Sequence, residues 1–342
     1  MNEILEVSNW DDYLEKLNPS QKDYYYYTEY YHIFKEKYPN SQPKAFIYIE
    51  GSSILIYPCY KTEIIQYDLD NSYYFLEGCY GYNGYLTNNK EEEFLKLFHK
   101  NFSYFCDREN IICEFTRFSP FLENSLLFSK ECVYHDRKTV LLDLNQGYQS
   151  IWDNEYHSKN RNIIRKGYNS GHNLVIDNSR YIEFKQIYDD TMDLLKSEKF
   201  YYFSESFFKK LSNSSNIEFL FVTNSEDKIE RGLILIYNKY YAHYFLSGRS
   251  SKKDNSLNNL LLDFAVKRSI ELGCSLFHFG GGNSGDLNDT LFKYKKKFSK
   301  TLKSFDIGFK IHNEKIYSLI THIWDKNNNK NNLIRRFLRF KE

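Results

Sequence analysis

Phe277-His278-Phe279-Gly280-Gly281-Gly282-Asn283-Ser284-Gly285 is the stretch that decides between two folds for this chain. Gly280, Gly282 and Gly285 satisfy G-x-G-x-x-G behind an apolar strand pattern. Asp306 follows 21 residues after Gly285, where a dinucleotide-binding fold places an acid for the ribose. The context rejects that reading. The loop begins at position 280 of 342, leaving too little chain for the rest of a doubly wound sheet. Asp306 also lies inside the run Ser304-Phe305-Asp306-Ile307-Gly308-Phe309 and not clearly at a strand end. Three residues without a Cβ do let a backbone lie against a ligand, with amides free for an anion or a developing oxyanion. A tight crossing of the chain with itself is the other reading of Gly280–Gly282.

Outward from this loop, two halves read as one plan used twice. In the second half, helical patterns occupy 181–195 and 206–211. The strand 217–222 turns through 224–228 into Leu233-Ile234-Leu235-Ile236-Tyr237, and 241–246 is a further strand. The helix 257–272 carries Leu257, Leu261, Phe264, Ala265 and Leu272 on one face, with Gly273 as its stop. The strand 275–279 completes the plan. In the first half, a helix near 28–38 precedes Ala45-Phe46-Ile47-Tyr48-Ile49, a Glu50-Gly51-Ser52-Ser53 turn and Ile54-Leu55-Ile56-Tyr57-Pro58. The pattern Phe94, Leu97, Phe98, Phe102, Phe105 predicts a helix over 91–107, with three acids in its first turn at the positive end of the dipole. A strand at 111–115 follows.

Helix, antiparallel hairpin, loop, helix, strand is the order of the acetyltransferase (GNAT) fold. The expected class is therefore α/β: two tandem GNAT-like (acyl-CoA N-acyltransferase-like) domains, mixed sheets flanked by helices, spanning 1–145 and 146–342. One large mixed sheet is the alternative.

Composition bounds the function. Apolar residues make up 42% of the chain, enough to fill cores. No apolar run approaches the roughly 20 residues of a membrane span. Met1–Glu6 is acidic and lacks the apolar centre of a secretory signal. The expectation is a soluble cytoplasmic protein, with peripheral membrane association left open. Six cysteines without a Cys-x-x-Cys pair read as small buried residues, and their spacing suggests no metal site. The 32 tyrosines read as compositional bias, with a glycan- or base-stacking surface as the alternative. Net charge is +1, yet residues 291–342 hold 14 Lys/Arg against 4 Asp/Glu, leaving the rest acidic. A basic C-terminal segment points to an anionic partner such as phosphate, pyrophosphate or RNA, or to a solvated basic face. DNA is not among the expected partners.

The stretches His278-Phe279-Gly280-Gly281-Gly282, Asp289-Thr290-Leu291-Phe292-Lys293-Tyr294-Lys295 and Lys297-Phe298-Ser299 together resemble the signature of the Fem-type peptidoglycan bridge aminoacyltransferases. Tyr294 replaces that family's second aromatic, a phenylalanine. Tyr80-Gly81-Tyr82-Asn83-Gly84 resembles its acceptor-side loop. Phe115-Thr116-Arg117-Phe118-Ser119-Pro120 resembles a further segment, with Ser119 where histidine is usual. Trp152 with Arg161-Asn162-Ile163-Ile164-Arg165-Lys166 and Gly171 resembles the helix opening its second domain. The resemblance implies two GNAT-like domains and transfer of an aminoacyl group from transfer RNA to an amine of a cell-envelope precursor, lipid-linked or nucleotide-linked. The helical-hairpin arm of some members has no counterpart.

Acyl transfer to an amine needs a proton acceptor, a polarised carbonyl, a stabilised oxyanion and often a proton for the leaving group. No Ser-His-Asp or Cys-His arrangement stands out, which favours direct attack. By resemblance Lys293 meets the reacting centre, where a fixed ammonium stabilises an oxyanion or holds a phosphate. It also reads as one of several surface lysines. His278 is a candidate base or a structural strand histidine; Tyr244 is a candidate proton donor; Asp289 reads as a helix cap. Arg161, Arg165 and Lys166 suit a diphosphate or RNA backbone, or a solvated face. Tyr80, Tyr82 and Arg117 are acceptor-side candidates by resemblance only. The glycine-rich pyrophosphate loop of coenzyme A-using GNAT proteins is missing from 247–255, although Arg249, Lys252 and Lys253 can hold an anion there. No tightly bound cofactor is expected. The donor is aminoacyl-tRNA, with an acyl-CoA acting on an amino sugar of a surface polysaccharide as the alternative. A non-catalytic binding protein is the third class.

Overall fold

A computed structural model describes residues 3–250, 256–327 and 337–341. The chain forms two compact units, Met1–Asp136 with Phe305–Glu342, and Arg137–Ser304. The expected division at 145/146 therefore falls at 136/137, and residues 305–342 return to the first unit. The cause is that both boundaries lie inside long strands, Val133–Asp143 and Thr301–Ile311. Sequence pattern marks strands and turns but not which unit a strand's far end serves. The basic C-terminal segment is split accordingly: Lys293 through Lys303 belong to the second unit, Lys310 through Lys341 to the first, and Lys330, Arg335 and Arg336 lie outside the described residues.

In unit 1 the strands run in the order Leu5–Val7, Ser41–Glu50, Ser53–Glu63, Tyr74–Glu77, Ile111–Arg117 and the far end of Thr301–Ile311. Every pairing is antiparallel except Tyr74–Glu77 with Ile111–Arg117, which the helix Glu92–Arg108 connects. That helix buries Phe94, Phe98, Phe102, Phe105 and Cys106 and starts with Glu92 and Glu93. Leu97, expected on the same stripe, sits at its flank and is 37% exposed. Phe102 alone touches Phe46, Tyr57 and Phe98 at ring distances of 5.3, 5.8 and 5.4 Å. Its truncation to alanine is expected to cost about 3–5 kcal/mol.

Unit 2 repeats this plan. Its order is Val133–Asp143 (from 139 on), Leu276–Gly281, Tyr241–Arg249, Ile229–Tyr237, Ile217–Thr223 and Asn173–Ile176. One pair is parallel again, Tyr241–Arg249 with Leu276–Gly281, connected by Ser256–Glu271. The registered pairs of that couple are Tyr241 with Leu276, Ala242 with Phe277 and His243 with His278. Pairing stops there although both strands continue. The split opens at the carboxyl ends of the parallel strands, where α/β sheets hold ligands. Gly273, at φ +76, ends the preceding helix as the sequence predicts. The antiparallel hairpins, one parallel pair and the connecting helix in each unit are the tandem GNAT-like architecture.

The tyrosines are mostly core in unit 1. Tyr26, Tyr30, Tyr31 and Tyr60 are buried. Their hydroxyls donate to the carbonyls of Asn83, Tyr80, Pro58 and Tyr31 at 2.9, 2.6, 2.9 and 2.5 Å. Five of the six cysteines are buried and none forms a disulfide.

Candidate active site

A cavity of about 620 Å³ opens at the split in unit 2. Tyr244, Ser247, Gly248 and Arg249 reach it from the strand that leaves the parallel pair, and Gly232 and Leu233 from its neighbour. The first turns of Ser256–Glu271 supply Asn258, Asn259, Leu261 and Leu262. The helix Thr290–Lys295 and its flanks supply Thr290, Leu291, Tyr294, Lys297 and Asn283. Apolar walls with a few convergent polar groups are the usual make-up of a small-ligand site.

Three hydroxyls give the cavity its chemistry. Tyr244 and Ser247 share a hydrogen bond of 2.5 Å between Oη and Oγ. Burial raises the Tyr244 hydroxyl above its ordinary pKa, and Ser247 draws it partly back. The Tyr294 oxygen is buried and makes no hydrogen bond among the described residues. Burial holds its pKa well up, with Tyr244 adding to the shift and Arg231 opposing it. Both tyrosines therefore keep their protons at neutral pH. A buried hydroxyl without a partner costs roughly 1–3 kcal/mol unless something accepts its proton.

Lys295, not singled out from the sequence, is a buried amine of this region, alongside the buried Arg231. It lies on the inward face of the short helix, donates from Nζ to the Gly281 carbonyl at 2.8 Å and stands 5.3 Å from the Tyr244 ring centroid. Burial brings it down to about 7, with Asp289 opposing and Arg137 adding to the shift. Lys293 is two residues earlier on the opposite, exposed face and does not line the cavity. Helical period separates the two, a distinction that a motif reading of two nearby lysines misses.

His278 is buried beside His243, with ring centroids 5.6 Å apart. Burial lowers its pKa well below the ordinary value, and His243 and Lys295 lower it further, so it stays neutral. Like Lys293 it is not among the cavity-lining residues.

The glycine loop is packed against its own chain. A Cβ on Gly282 would lie 2.4 Å from Asp289 Oδ1, one on Gly281 3.0 Å from Arg137 Cδ, and one on Gly280 3.1 Å from Lys295 Nζ. Gly280 also has φ +81. Arg137 Nη1 donates to the Gly282 carbonyl at 2.8 Å. Asp289 caps the helix by accepting from Phe292 N at 2.9 Å. In this geometry the glycines make room for Asp289, Arg137 and Lys295, and the loop is a chain crossing.

The cations expected to hold a donor separate into two kinds. Arg161 Nη1 donates to the carbonyls of Trp152, Asp153 and Tyr156 at 3.0, 3.1 and 2.8 Å, closing the end of the helical turn before it. Its Nη1 is thus committed within the fold to backbone carbonyls and not to a phosphate. Arg165 bonds Asn162 and lies over Trp152 at 5.2 Å, and Lys166 is exposed. Arg249 lines the cavity, and its backbone N–H donates to the Thr191 hydroxyl oxygen at 2.9 Å. Lys252 and Lys253 lie outside the described residues.

The acceptor-side candidates sit in unit 1. Tyr80 stacks on Phe34 at 5.5 Å, and Tyr82 meets Tyr25 and Phe305 edge-on at 5.4 and 5.5 Å. Arg117 lies over Phe115 at 4.9 Å, with a buried Nη1 that makes no hydrogen bond among the described residues. Among the described residues no three His, Cys, Asp or Glu side chains converge as a metal site, and no helix is long and apolar enough to cross a membrane.

Fold and cavity together define the tandem GNAT-like class, with its opening beside the parallel pair of unit 2. The particular likeness is to the crystal structure of FemX, at 13% sequence identity and a TM-score of 0.72 over 93% of this chain and 99% of that one. The C-terminal domain of a candidate lysylphosphatidylglycerol synthetase from Agrobacterium fabrum matches at 13% identity and 0.55, covering 90% and 95% of the two chains. L-PGS from Bacillus licheniformis matches at 12% and 0.53, covering 85% and 94%. At these identities the likeness is one of fold. No protein-family profile matches the sequence, and no curated protein matches it.

Proposed function

We propose that the chain is an acyltransferase that moves an aminoacyl group from transfer RNA onto an amine of a cell-envelope precursor, with the cavity of unit 2 as its reacting centre. The observation that carries this is Tyr294, a residue of the cavity wall whose buried hydroxyl makes no hydrogen bond among the described residues. A donor left without an acceptor beside a ligand cavity suits an oxygen that becomes negative only during reaction. The fold shared with FemX and with L-PGS agrees with aminoacyl transfer.

In this reading the amine attacks the acyl carbonyl directly, and the carbonyl electrons move to oxygen. Tyr294 donates a hydrogen bond to the oxyanion. The intermediate collapses and the bond to the leaving oxygen breaks as Tyr244 passes that oxygen a proton; Ser247 reprotonates Tyr244 and takes up the proton that the attacking nitrogen loses, so amide, free hydroxyl and enzyme are all restored. Lys295 fixes the Gly281 turn and the Tyr244 ring behind this line, taking the place that resemblance gave to Lys293. Arg249 and Lys297 at the rim are the cations for a phosphate-bearing donor.

An acyl-CoA donor is the second reading, favoured by the cavity's position beside the parallel split and the helix start at Ser256. Melting curves with each donor separate the two. A ligand that binds only the native state raises the melting temperature by mass action. Stabilisation by charged transfer RNA, weakening with salt, supports the first reading; stabilisation by coenzyme A alone overturns it.

A further inference from the structure

Unit 1 has a parallel pair of its own, and Glu77 stands at its carboxyl end, in register with Phe115. The Glu77 side chain is 4% exposed, and its carboxylate meets the Lys341 ammonium at 2.5 Å. The same ammonium lies 5.4 Å from the centroid of the buried Tyr38 ring. Arg117, two residues beyond Phe115 on the facing strand, brings its buried Nη1 to the same region. Burial raises both the Tyr38 hydroxyl and the Cys79 thiol; Glu77 adds to each shift and Arg117 opposes it, so the four groups share one neighbourhood.

The segment that brings Lys341 there has other anchors. Phe340 is buried, edge-on to Phe75 at 5.5 Å and to Tyr317 at 5.9 Å. Its carbonyl accepts from Tyr67 Oη at 3.0 Å, and that of Phe337 from Tyr317 Oη at 2.9 Å. Arg339 pairs with Asp325 through two bonds of 3.0 and 3.1 Å. The lysine side chain itself is 41% exposed. Its ammonium can therefore leave Glu77 while Phe340 stays seated.

We infer that Glu77 and Tyr38 form a binding site for a primary alkylammonium group, as on the lysine side chain of a peptide, and that Lys341 is the intramolecular occupant which such a ligand displaces. A carboxylate and a ring face together recognise a compact point charge. An ammonium with three donors on a flexible stem meets that geometry better than a guanidinium fork. A carboxylate this buried is costly without a cation, and a ligand ammonium replacing Lys341 keeps the charge compensated throughout the exchange. This goes beyond the transfer reading of unit 2 and does not rest on it.

The test is calorimetric titration of the full chain with Nα-acetyl-L-lysine amide, with Nα-acetyl-L-norleucine amide as the probe lacking the ammonium. The Lys341→Ala protein is expected to bind the lysine probe about ten-fold or more tightly than the wild type, whose occupant competes at high effective concentration. Adding Glu77→Gln removes that binding, and the norleucine probe does not bind. Should Lys341→Ala not fold, Lys341→Gln carries the same expectation. A folded Lys341 variant that ignores the lysine probe, or that binds it equally with Gln at 77, or binds both probes alike, overturns the site and leaves Lys341 as a fastener of the segment. No acyl transfer is measured, so the outcome is independent of the proposed reaction.

Discussion

Substituting Gly282 by alanine separates a glycine that makes room for the protein from one that makes room for a ligand. The added Cβ would sit 2.4 Å from Asp289 Oδ1, 2.7 Å from its Cγ and 3.0 Å from Phe292 Cβ. The Asp289 carboxylate has to move, and it is the cap that accepts from Phe292 N at 2.9 Å and from Asn283 N at 3.2 Å. Loss of the cap costs about 1 kcal/mol, within a range of roughly 0.5–2. Crowding against the packed Phe292 adds about 1–3 kcal/mol. The sum, about 2–4 kcal/mol, lowers the melting temperature of a unit this size by about 10 °C. Thermal denaturation followed by circular dichroism measures it. The cause is checked by Asp289→Ala, which removes the clash together with the cap. Beyond Asp289→Ala alone, Gly282→Ala/Asp289→Ala is expected to lose only the crowding against Phe292, so the two single costs do not add, a non-additivity that identifies the pair. A Gly282→Ala protein melting within about 1 °C of the wild type refutes the reasoning, since the steric cost would then be absent.

Three further outcomes follow from the same geometry. Lys295 is held near 7, far below its ordinary value, so between that pH and its unfolded pKa the unfolded state binds the extra proton. Stability of unit 2 is therefore fully present above the unfolded pKa, falls as pH drops towards 7 by up to about 1.4 kcal/mol per pH unit, and levels off below; Lys295→Met flattens the melting profile over that window. Glu114 is fully buried and is approached by His312 at 3.1 Å. Burial pushes its carboxyl up, but His312 first, then the Lys310 charge and the Tyr57 hydrogen bond, together outweigh this and hold it below its ordinary value. Its stabilisation is present above the unfolded carboxylate pKa and is lost as pH falls through the lower folded value, and Glu114→Gln costs about 3–5 kcal/mol at pH 7 by urea denaturation. Arg161→Ala is expected to lose about 1.5–3 kcal/mol of stability with no change in the salt slope of transfer RNA binding, whereas Arg165→Ala leaves stability unchanged and reduces that slope by about 1.

The elements that sequence reading placed best are those whose signal is local. Gly51 and the β-branched runs beside it mark the hairpin Ser41–Glu50 and Ser53–Glu63, and the phenylalanine stripe marks Glu92–Arg108. The helix Tyr181–Leu195 begins and ends where its pattern does. What was not legible depends on distance in the chain. Nothing near Phe305 says that the strand through it pairs with Ile111–Arg117, because that partner is almost two hundred residues away. The Glu114–His312 pair and the contact of Lys341 with Glu77 are hidden for the same reason. Arg161 was misread because three backbone carbonyls, which no sequence pattern advertises, claim it before any phosphate. The motif around Phe292 falls on the helix Thr290–Lys295 beside the cavity, but the short length of that helix hid which face turns inward. Lys295 was therefore passed over for Lys293, and Tyr294, noted only as a departure from the family's phenylalanine, was not read as an added hydroxyl.

The most direct test of the cavity as a reacting centre is the rate of amide formation by the wild type and by Tyr294→Phe, with labelled aminoacyl-tRNA and an amine acceptor. Removing one oxygen that makes no hydrogen bond among the described residues leaves the melting temperature unchanged or slightly raised. If that hydroxyl stabilises the oxyanion, kcat falls about 100-fold or more. Transfer by Tyr294→Phe at the wild-type rate would contradict the account and move the reaction out of this cavity.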